Sequence, residues 1–457
     1  MDANITLANY VVNTNYEDIP TDLVELAKKD ILDTLGVAIA AGGEAGGKEL
    51  MTLIEEWGGK PESTVVGYGV KVPAPLAAMV NSTTAHSLDY DDVMFSTGHV
   101  GVTVIPPALA AAERRGNVSG KELIAAVVLG IDVMCRLGEA SEPLALGPGW
   151  LYTPLYGVFG ATAAAGKILG LTADQMANAF GIAYSQAAGN REPVMEGALV
   201  KRIQAGFASR AGVFSVLAAS KGVTGAINCL EGKFGLFNVY HRGNYLPENL
   251  TRDLGKYFAI SRLVFKKFPA CSATEASAEA AAELAQENNL NFEDMEGVTV
   301  HVGEYSRNCS EPLDKKQNPQ SDAEAQFSVP WVVATALVKK RFTIEDVGPE
   351  ELDNQSIRDL ARKVELSIDM EVSKKIASFP AIVEVKMKDN KVYTKRVDVA
   401  KGHPDKPMSL EELTDKFREC AKFAQKPLSD EKINNLIETF LHLESVGDVG
   451  PIIESLA

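Results

Sequence analysis

The sequence predicts a mainly α-helical protein: a large all-helical domain with a smaller α+β domain inserted before the C-terminus. Three observations carry that prediction. Apolar residues recur at helical spacing from the start, small residues crowd the middle, and β-rich runs appear only after about residue 260. At 457 residues the chain has length for two or three domains.

The elements follow in order. Thr21 is placed to cap a helix whose apolar positions are Leu23, Leu26, Ala27, Ile31, Leu32 and Leu35. Ser119 with Glu122, Thr172 with Gln175 and Ser409 with Glu412 read as capping boxes, a hydroxyl at the helix start and a Glu or Gln three residues on. Ala161-Thr162-Ala163-Ala164-Ala165-Gly166 and the stretch from Ala205 to Ala219 have side chains small enough for helices to approach closely. Val298 to Val302 reads as a strand. Ala381 to Met387 and Val392 to Val399 read as a hairpin turning at Asp389-Asn390. Between them, helix is expected around Ala323–Lys339 and Ser356–Lys363, and again from Ser409 onward. The domain boundaries expected are 1–262 for the first helical part, 263–400 for the α+β insertion and 401–457 for the return.

Composition narrows the function. A net charge of -16 argues against nucleic acid and anionic membranes as partners. It leaves room for an anionic substrate in a locally basic pocket. The five cysteines are widely spaced with no C-x-x-C pair, so neither a zinc nor an iron–sulfur site is expected, and a reducing cytoplasm is the expected setting. Met1-Asp2-Ala3-Asn4 lacks a basic start leading into an apolar run, so no signal peptide is expected. No apolar stretch has the length of a membrane span.

The densest polar cluster is His86-Ser87-Leu88-Asp89-Tyr90-Asp91-Asp92 followed by Gly98-His99-Val100-Gly101. At the end of a helix, Asp89 would lie one turn from His86. A carboxylate beside an imidazole orients the ring and holds its charge, as acid–base chemistry requires. A cap rich in acids with a structural histidine is the plainer alternative. His86, Asp89, Asp92 and His99 are plausible metal ligands by residue type, but their spacing fits no strong metal signature. Lys201-Arg202 opens an Ala/Gly-rich helix, and Lys266-Lys267 lies within the apolar run 264–271. Cations in such contexts are candidates to hold a carboxylate. In an extended segment Lys266 and Lys267 would face opposite ways. Cys271 reads as a small buried hydrophobe, since no His or Asn partner is evident near it.

These segments resemble the MmgE/PrpD family, whose members include 2-methylcitrate dehydratase, cis-aconitate decarboxylase and iminodisuccinate epimerase. The matches run in order: His86 to Asp92 with Gly98 to Gly101; Gly157 to Ala161 with Gly166 to Leu171; Lys201-Arg202 with Gly206, Ala208 and Ala211; Phe265 to Cys271; and Ala325 to Pro330. The resemblance implies a helical domain with an α+β lid, usually as a homodimer, and no cofactor or metal. It implies an active site holding Asp89, His99, Lys201 and Lys266, with Tyr305 a further match. His86, Arg202, Lys267 and Tyr152 are the accompanying candidates for substrate binding. The sequence departs from the family pattern at Leu151, where many members carry a histidine, and at Val93, where the decarboxylase carries threonine.

The activity implied is a cofactor-independent lyase of a small di- or tricarboxylic acid, first a 2-methylcitrate dehydratase of propionate catabolism. Alternatives are a cis-aconitate decarboxylase, a dicarboxylate epimerase and a non-catalytic carboxylate-binding protein.

Overall fold

The computed structural model describes residues 2–141, 149–374 and 378–457. The protein is predominantly α-helical, 59% helix against 8% strand. It divides into two units. The first comprises Met1–Ser87, Asp91–Leu263 and Leu410–Ala457, and the second Leu88–Tyr90 and Val264–Ser409.

The first unit is built on the helices Thr21–Ala40, Ala74–Ala85, Gly101–Arg115, Gly120–Ala140, Tyr152–Ile168 and Val200–Ser220. The capping boxes expected at Ser119 and Thr172 are formed. Ser119 Oγ accepts from the Glu122 amide at 3.3 Å while the Glu122 carboxylate accepts from the Ser119 amide at 2.9 Å. Thr172 and Gln175 do the same at 3.2 and 3.0 Å. Thr21, by contrast, is the first helical residue and not the cap. Pro20 precedes it, and its extended backbone starts the helix without a side-chain hydrogen bond.

The small residues of the middle set helix spacing. A methyl group on Gly212 would come within 2.4 Å of Ala161 Cβ, and one on Gly206 within 2.4 Å of the Met79 carbonyl. The C-terminal segment is fastened into this unit by charge and backbone together. Lys416 pairs with Asp33 at 2.7 Å, and buried Lys28 reaches Glu444 at 2.9 Å and the Leu441 carbonyl at 2.8 Å. The Gly120 amide donates to Val446 O at 2.9 Å, and the Val449 amide to Val118 O at 2.8 Å. A two-stranded ribbon, β1 (Ser63–Val65) and β2 (Val70–Val72), completes the unit.

The second unit holds a four-stranded sheet in the order β4-β3-β5-β6: β3 Met295–Val302, β4 Val364–Ile368, β5 Ala381–Met387 and β6 Val392–Val397. β3 pairs parallel with β4 and antiparallel with β5; β5 and β6 form the expected hairpin. Asn390 takes the left-handed conformation that the turn requires, with φ 69°. Burial alternates along β5, Ala381, Val383, Val385 and Met387 facing inward, as a half-buried strand demands. The helices Glu275–Glu287 and Val329–Lys339 pack on each other in the core of this unit. The expected helix 323–339 is broken after Gln326: Ser328 caps a new helix by accepting from the Trp331 amide at 3.1 Å, with Pro330 in its first turn. No helix among the described residues is long and apolar enough to cross a membrane.

Candidate functional site

The helix Ala74–Ala85 is buried along most of its length and ends at His86, whose amide still donates back to Ser82 and Thr83 at 3.2 Å. The chain then leaves helical geometry. Asp89 adopts φ 49°, a left-handed conformation uncommon for a residue with a side chain. Farther on, Met94 and Gly98 exchange backbone hydrogen bonds at 2.8 and 2.7 Å, closing a tight loop. Gly98 has φ 89°, and a Cβ there would meet Thr153 Oγ1 at 2.5 Å. Thr153 Oγ1 accepts from the His99 amide at 3.0 Å, so the loop fixes the position of His99.

The loop brings two imidazoles of the first unit to one carboxylate. Asp91 Oδ2 lies 2.9 Å from His86 Nδ1 and 2.8 Å from His99 Nδ1. The rings meet edge to face with centroids 4.6 Å apart. Asp91 and His86 are buried, whereas the His99 side chain retains 16% exposure. Burial alone would raise the Asp91 carboxyl, but His99 and His86 overcome it and hold the group well below the usual range. An ionised Asp91 favours hydrogen on the Nδ1 of each ring and leaves each Nε2 as the basic nitrogen. Burial, with the Lys201 ammonium adding to it, holds the His86 imidazole down to about 4.

Behind this pair stands a buried acidic group. Asp92 accepts from the Val100 and Gly101 amides at 3.2 and 3.0 Å, capping the helix that follows His99. Burial and the neighbouring Asp91 raise it to about 7. Asp30 is raised further, by burial first and then by Asp92, Asp33 and Asp91. Gly101 has no room for a side chain, since a Cβ would meet Asp92 Oδ1 at 2.5 Å and Thr34 Oγ1 at 2.6 Å.

Within this cluster, His86 and the raised carboxyls contribute to the pH dependence of stability with opposite signs. His86 titrates lower in the folded chain, near 4, than its ordinary 6.5. The unfolded chain therefore takes up the proton first, and stability falls as pH drops from about 6.5 to 4, by roughly 3 kcal/mol in full. Asp92 opposes this across about 3.8 to 7, because its folded form is the easier to protonate. An NMR titration that follows the His86 ring separately is expected to find it neutral until about pH 4. A midpoint near 6.5 would refute the environment described.

In the second unit, Lys266 is 1% exposed and Asp89 is 2% exposed. Lys266 Nζ donates to the Asp89 carbonyl at 2.7 Å and to its carboxylate at 3.1 Å. The left-handed turn at Asp89 presents both oxygens to one ammonium. Gln326 Nε2 steadies the same strand of chain by donating to Leu88 O at 2.5 Å.

The expected residues are thus distributed as follows. His86, His99 and Lys201 belong to the first unit, and Asp89 and Lys266 pair in the second. Within the first unit the carboxylate that meets both imidazoles is Asp91. Lys267 turns its ammonium over the Phe268 ring, 5.3 Å from the centroid. Tyr305 sits in a short 3-10 turn, edge-on to Phe379 at 5.8 Å. Arg202 donates to Ala45 O at 3.1 Å and lies 3.5 Å from Glu44, engaged by a loop of its own unit. Tyr152 stacks on Tyr156 at 5.2 Å. Tyr156 is hydrogen-bonded to His241 Nε2 at 2.7 Å. Val93 is buried, and Leu151 precedes the helix Tyr152–Ile168.

His86, Asp91 and His99 each offer a potential metal ligand, with atoms within 4.8 Å of one another. Around a tetrahedral zinc, ligand atoms bound at about 2.0–2.2 Å stand roughly 3.3 Å or more apart. The Nδ1–Oδ2 spacings of 2.8 and 2.9 Å are those of direct contact between the rings and the carboxylate.

Comparison with known proteins then places the chain. The MmgE/PrpD N-terminal domain model matches residues 5–248, and the MmgE/PrpD C-terminal domain model matches residues 268–441. The chain belongs to the MmgE/PrpD family. Among the MmgE/PrpD relatives, cis-aconitate decarboxylase of Aspergillus terreus is 27% identical over 471 residues, 98% of this chain and 95% of that protein. The Homo sapiens cis-aconitate decarboxylase is 28% identical over 445 residues, 93% of this chain and 88% of that protein. The 2-methylcitrate dehydratase of Salmonella typhi is 26% identical over 383 residues, 79% of this chain and 76% of that protein. These MmgE/PrpD relatives divide between two reactions and support an enzyme of this family without choosing between them.

Proposed function

We propose that the protein is a cofactor-independent lyase of a small di- or tricarboxylic acid, and that His99 carries the proton. The observation behind this is the single oxygen of buried Asp91 that meets the Nδ1 of two imidazoles, only one of which, His99, reaches solvent. Elimination of water or of CO2 next to a carboxylate places negative charge on an enolate-like group. Fixed cations stabilise such charge, and removing one such donor typically costs about 3–4 kcal/mol of barrier. In this reading His99 Nε2 abstracts the α-proton, and the ionised Asp91 stabilises the imidazolium that results. His86, buried and neutral, holds Asp91 in place. Lys201 supplies positive charge in the same unit, and Lys266 is a candidate to meet a substrate carboxylate.

A 2-methylcitrate dehydratase is the first reading, and a cis-aconitate decarboxylase the second, since relatives of both names match this chain. An epimerase would use the same abstraction without losing a group. Purified protein incubated in deuterated water with 2-methylcitrate, cis-aconitate and citrate, followed by NMR, separates them. A new alkene from 2-methylcitrate marks dehydration and CO2 release marks decarboxylation. Deuterium exchange alone marks epimerisation. Inertness toward every acid of this class, with binding intact, would overturn the lyase reading and leave a carboxylate-binding protein.

Self-association belongs to the same proposal. Val200, Phe207 and Phe214, at seven-residue spacing on the helix Val200–Ser220, are 37%, 40% and 53% exposed. A second copy of this chain is the occupant we propose for that face, and sedimentation of the purified protein tests it.

A further inference from the structure

Outside the histidine loop, the cysteines pack. Cys135, Cys229, Cys309 and Cys420 are buried, and Cys271, more exposed than its sequence context suggests, is half-buried against the core of the second unit. A cavity of about 730 Å³ in the first unit is different. Its walls come from the C-terminal ends of the helices Ala3–Asn13, Gly101–Arg115 and Tyr152–Ile168 and from the start of Gly120–Ala140. The loop that carries His86 and His99 takes no part in it. Three cations line the cavity against two carboxylates. Arg115 pairs with Glu122 at 2.8 Å and donates to Ile168 O at 2.7 Å. Lys121 stands over the Tyr16 ring, 4.9 Å from its centroid, and lies 3.3 Å from Glu17. Lys167 is half-buried and left without an acid. Its ammonium donates to Val12 O at 2.8 Å; among the described residues it enters no ion pair, and Asp18 acts on it only from beyond contact. Burial pushes this ammonium down from its ordinary value.

We infer that this cavity binds a monocarboxylate with an apolar body, its carboxylate on Lys167 and its hydrocarbon part against Val12, Ala125 and Leu171. Three physical points choose that class. The volume lies within the range of small-molecule sites, roughly 300–1,000 Å³. A half-buried ammonium whose acceptor is a neutral carbonyl gains Coulomb energy from an incoming anion, in a setting less screened than open water. The count of charges is the third. Glu122 and Glu17 already answer Arg115 and Lys121, so one positive charge remains. A second anionic group on the ligand would face those two acids, and like charges brought together weaken binding. The cavity therefore selects against the polyacids proposed as substrates and against phosphates. The plainer reading is a crevice whose cations only close helix ends. It predicts no saturable ligand.

Hexanoate is the probe, with citrate and pyrophosphate as the polyanions set against it. Isothermal titration of the full-length protein is expected to show saturable hexanoate binding with a Kd below about 1 mM. Trace acetylation of amines with acetic anhydride, read from peptide masses, is expected to slow several-fold at Lys167 when hexanoate is present. Citrate and pyrophosphate at the same concentration are expected to leave Lys167 labelling unchanged. Lys167→Gln is expected to weaken hexanoate about tenfold or more. Glu17→Gln, which releases Lys121 for the carboxylate, is expected to tighten it. The labelling is read on the wild-type protein, so it decides the matter even if a variant folds poorly. Absence of saturation, saturation that leaves Lys167 labelling unchanged, or equal protection by citrate overturns the inference. Neither readout uses turnover, so the outcome stands apart from the lyase reading.

Discussion

Replacing His99 with alanine is expected to lower kcat about 100- to 10,000-fold on whichever acid proves to be the substrate, with a much smaller change in KM. The expectation rests on exposure and orientation together. His86 and His99 share one carboxylate oxygen, but His86 is enclosed, so only His99 can deliver Nε2 to a bound molecule. Truncation also leaves Asp91 with a single imidazole, and that could disturb packing. His99→Gln answers the objection, because its amide can still donate to Asp91 while being unable to carry a proton. Both variants are expected to keep the helical circular-dichroism spectrum. Near-normal kcat in His99→Gln would remove His99 from the chemistry.

Lys266→Ala is expected to destabilise the second unit by about 3–5 kcal/mol, the usual consequence of stranding one half of a buried ion pair. Asp89 would keep its burial and lose the ammonium that meets both its carboxylate and its carbonyl. Lys266→Met combined with Asp89→Asn is expected to regain most of the loss. It replaces two charges by neutral groups of similar size, and asparagine tolerates the left-handed backbone at this position. Urea unfolding followed by fluorescence checks this. A single variant within about 1 kcal/mol of wild type would mean that the pair is not closed as described.

What could be read from the sequence was what local chemistry writes there. β5 spans Ala381–Met387, the run its alternation marks, and Asn390 turns the hairpin because its side chain tolerates positive φ. Ser119 and Thr172 cap helices for reasons contained within four residues. β4, by contrast, is a short polar-sided strand whose only strong reason to exist is its parallel pairing with β3, some sixty residues away. In the candidate site, the residue types were legible and the pairing was not. Helical spacing pointed from His86 to Asp89; the helix stops at His86, and the open turn delivers Asp91 to the imidazoles. The spacing of Asp91 between the two histidines was visible; only the backbone path gives it meaning. Lys266 stood out as a charge in an apolar run, and its partner lies 177 positions away.

The three residues Leu88–Tyr90 matter beyond their number. They belong with Val264–Ser409, although the chain on either side of them does not. A gene fragment encoding only 264–409 would lack the acid that neutralises Lys266, the carbonyl that Gln326 grips and the hydroxyl of Tyr90 that donates to Lys267 O at 3.2 Å. Such a fragment would keep the Lys266 ammonium without the Asp89 carboxylate that lies 3.1 Å from it. Dissecting this protein by cutting at its apparent boundary is therefore a poor route to an isolated α+β piece; a circular permutant that carries the tripeptide along is the sounder choice.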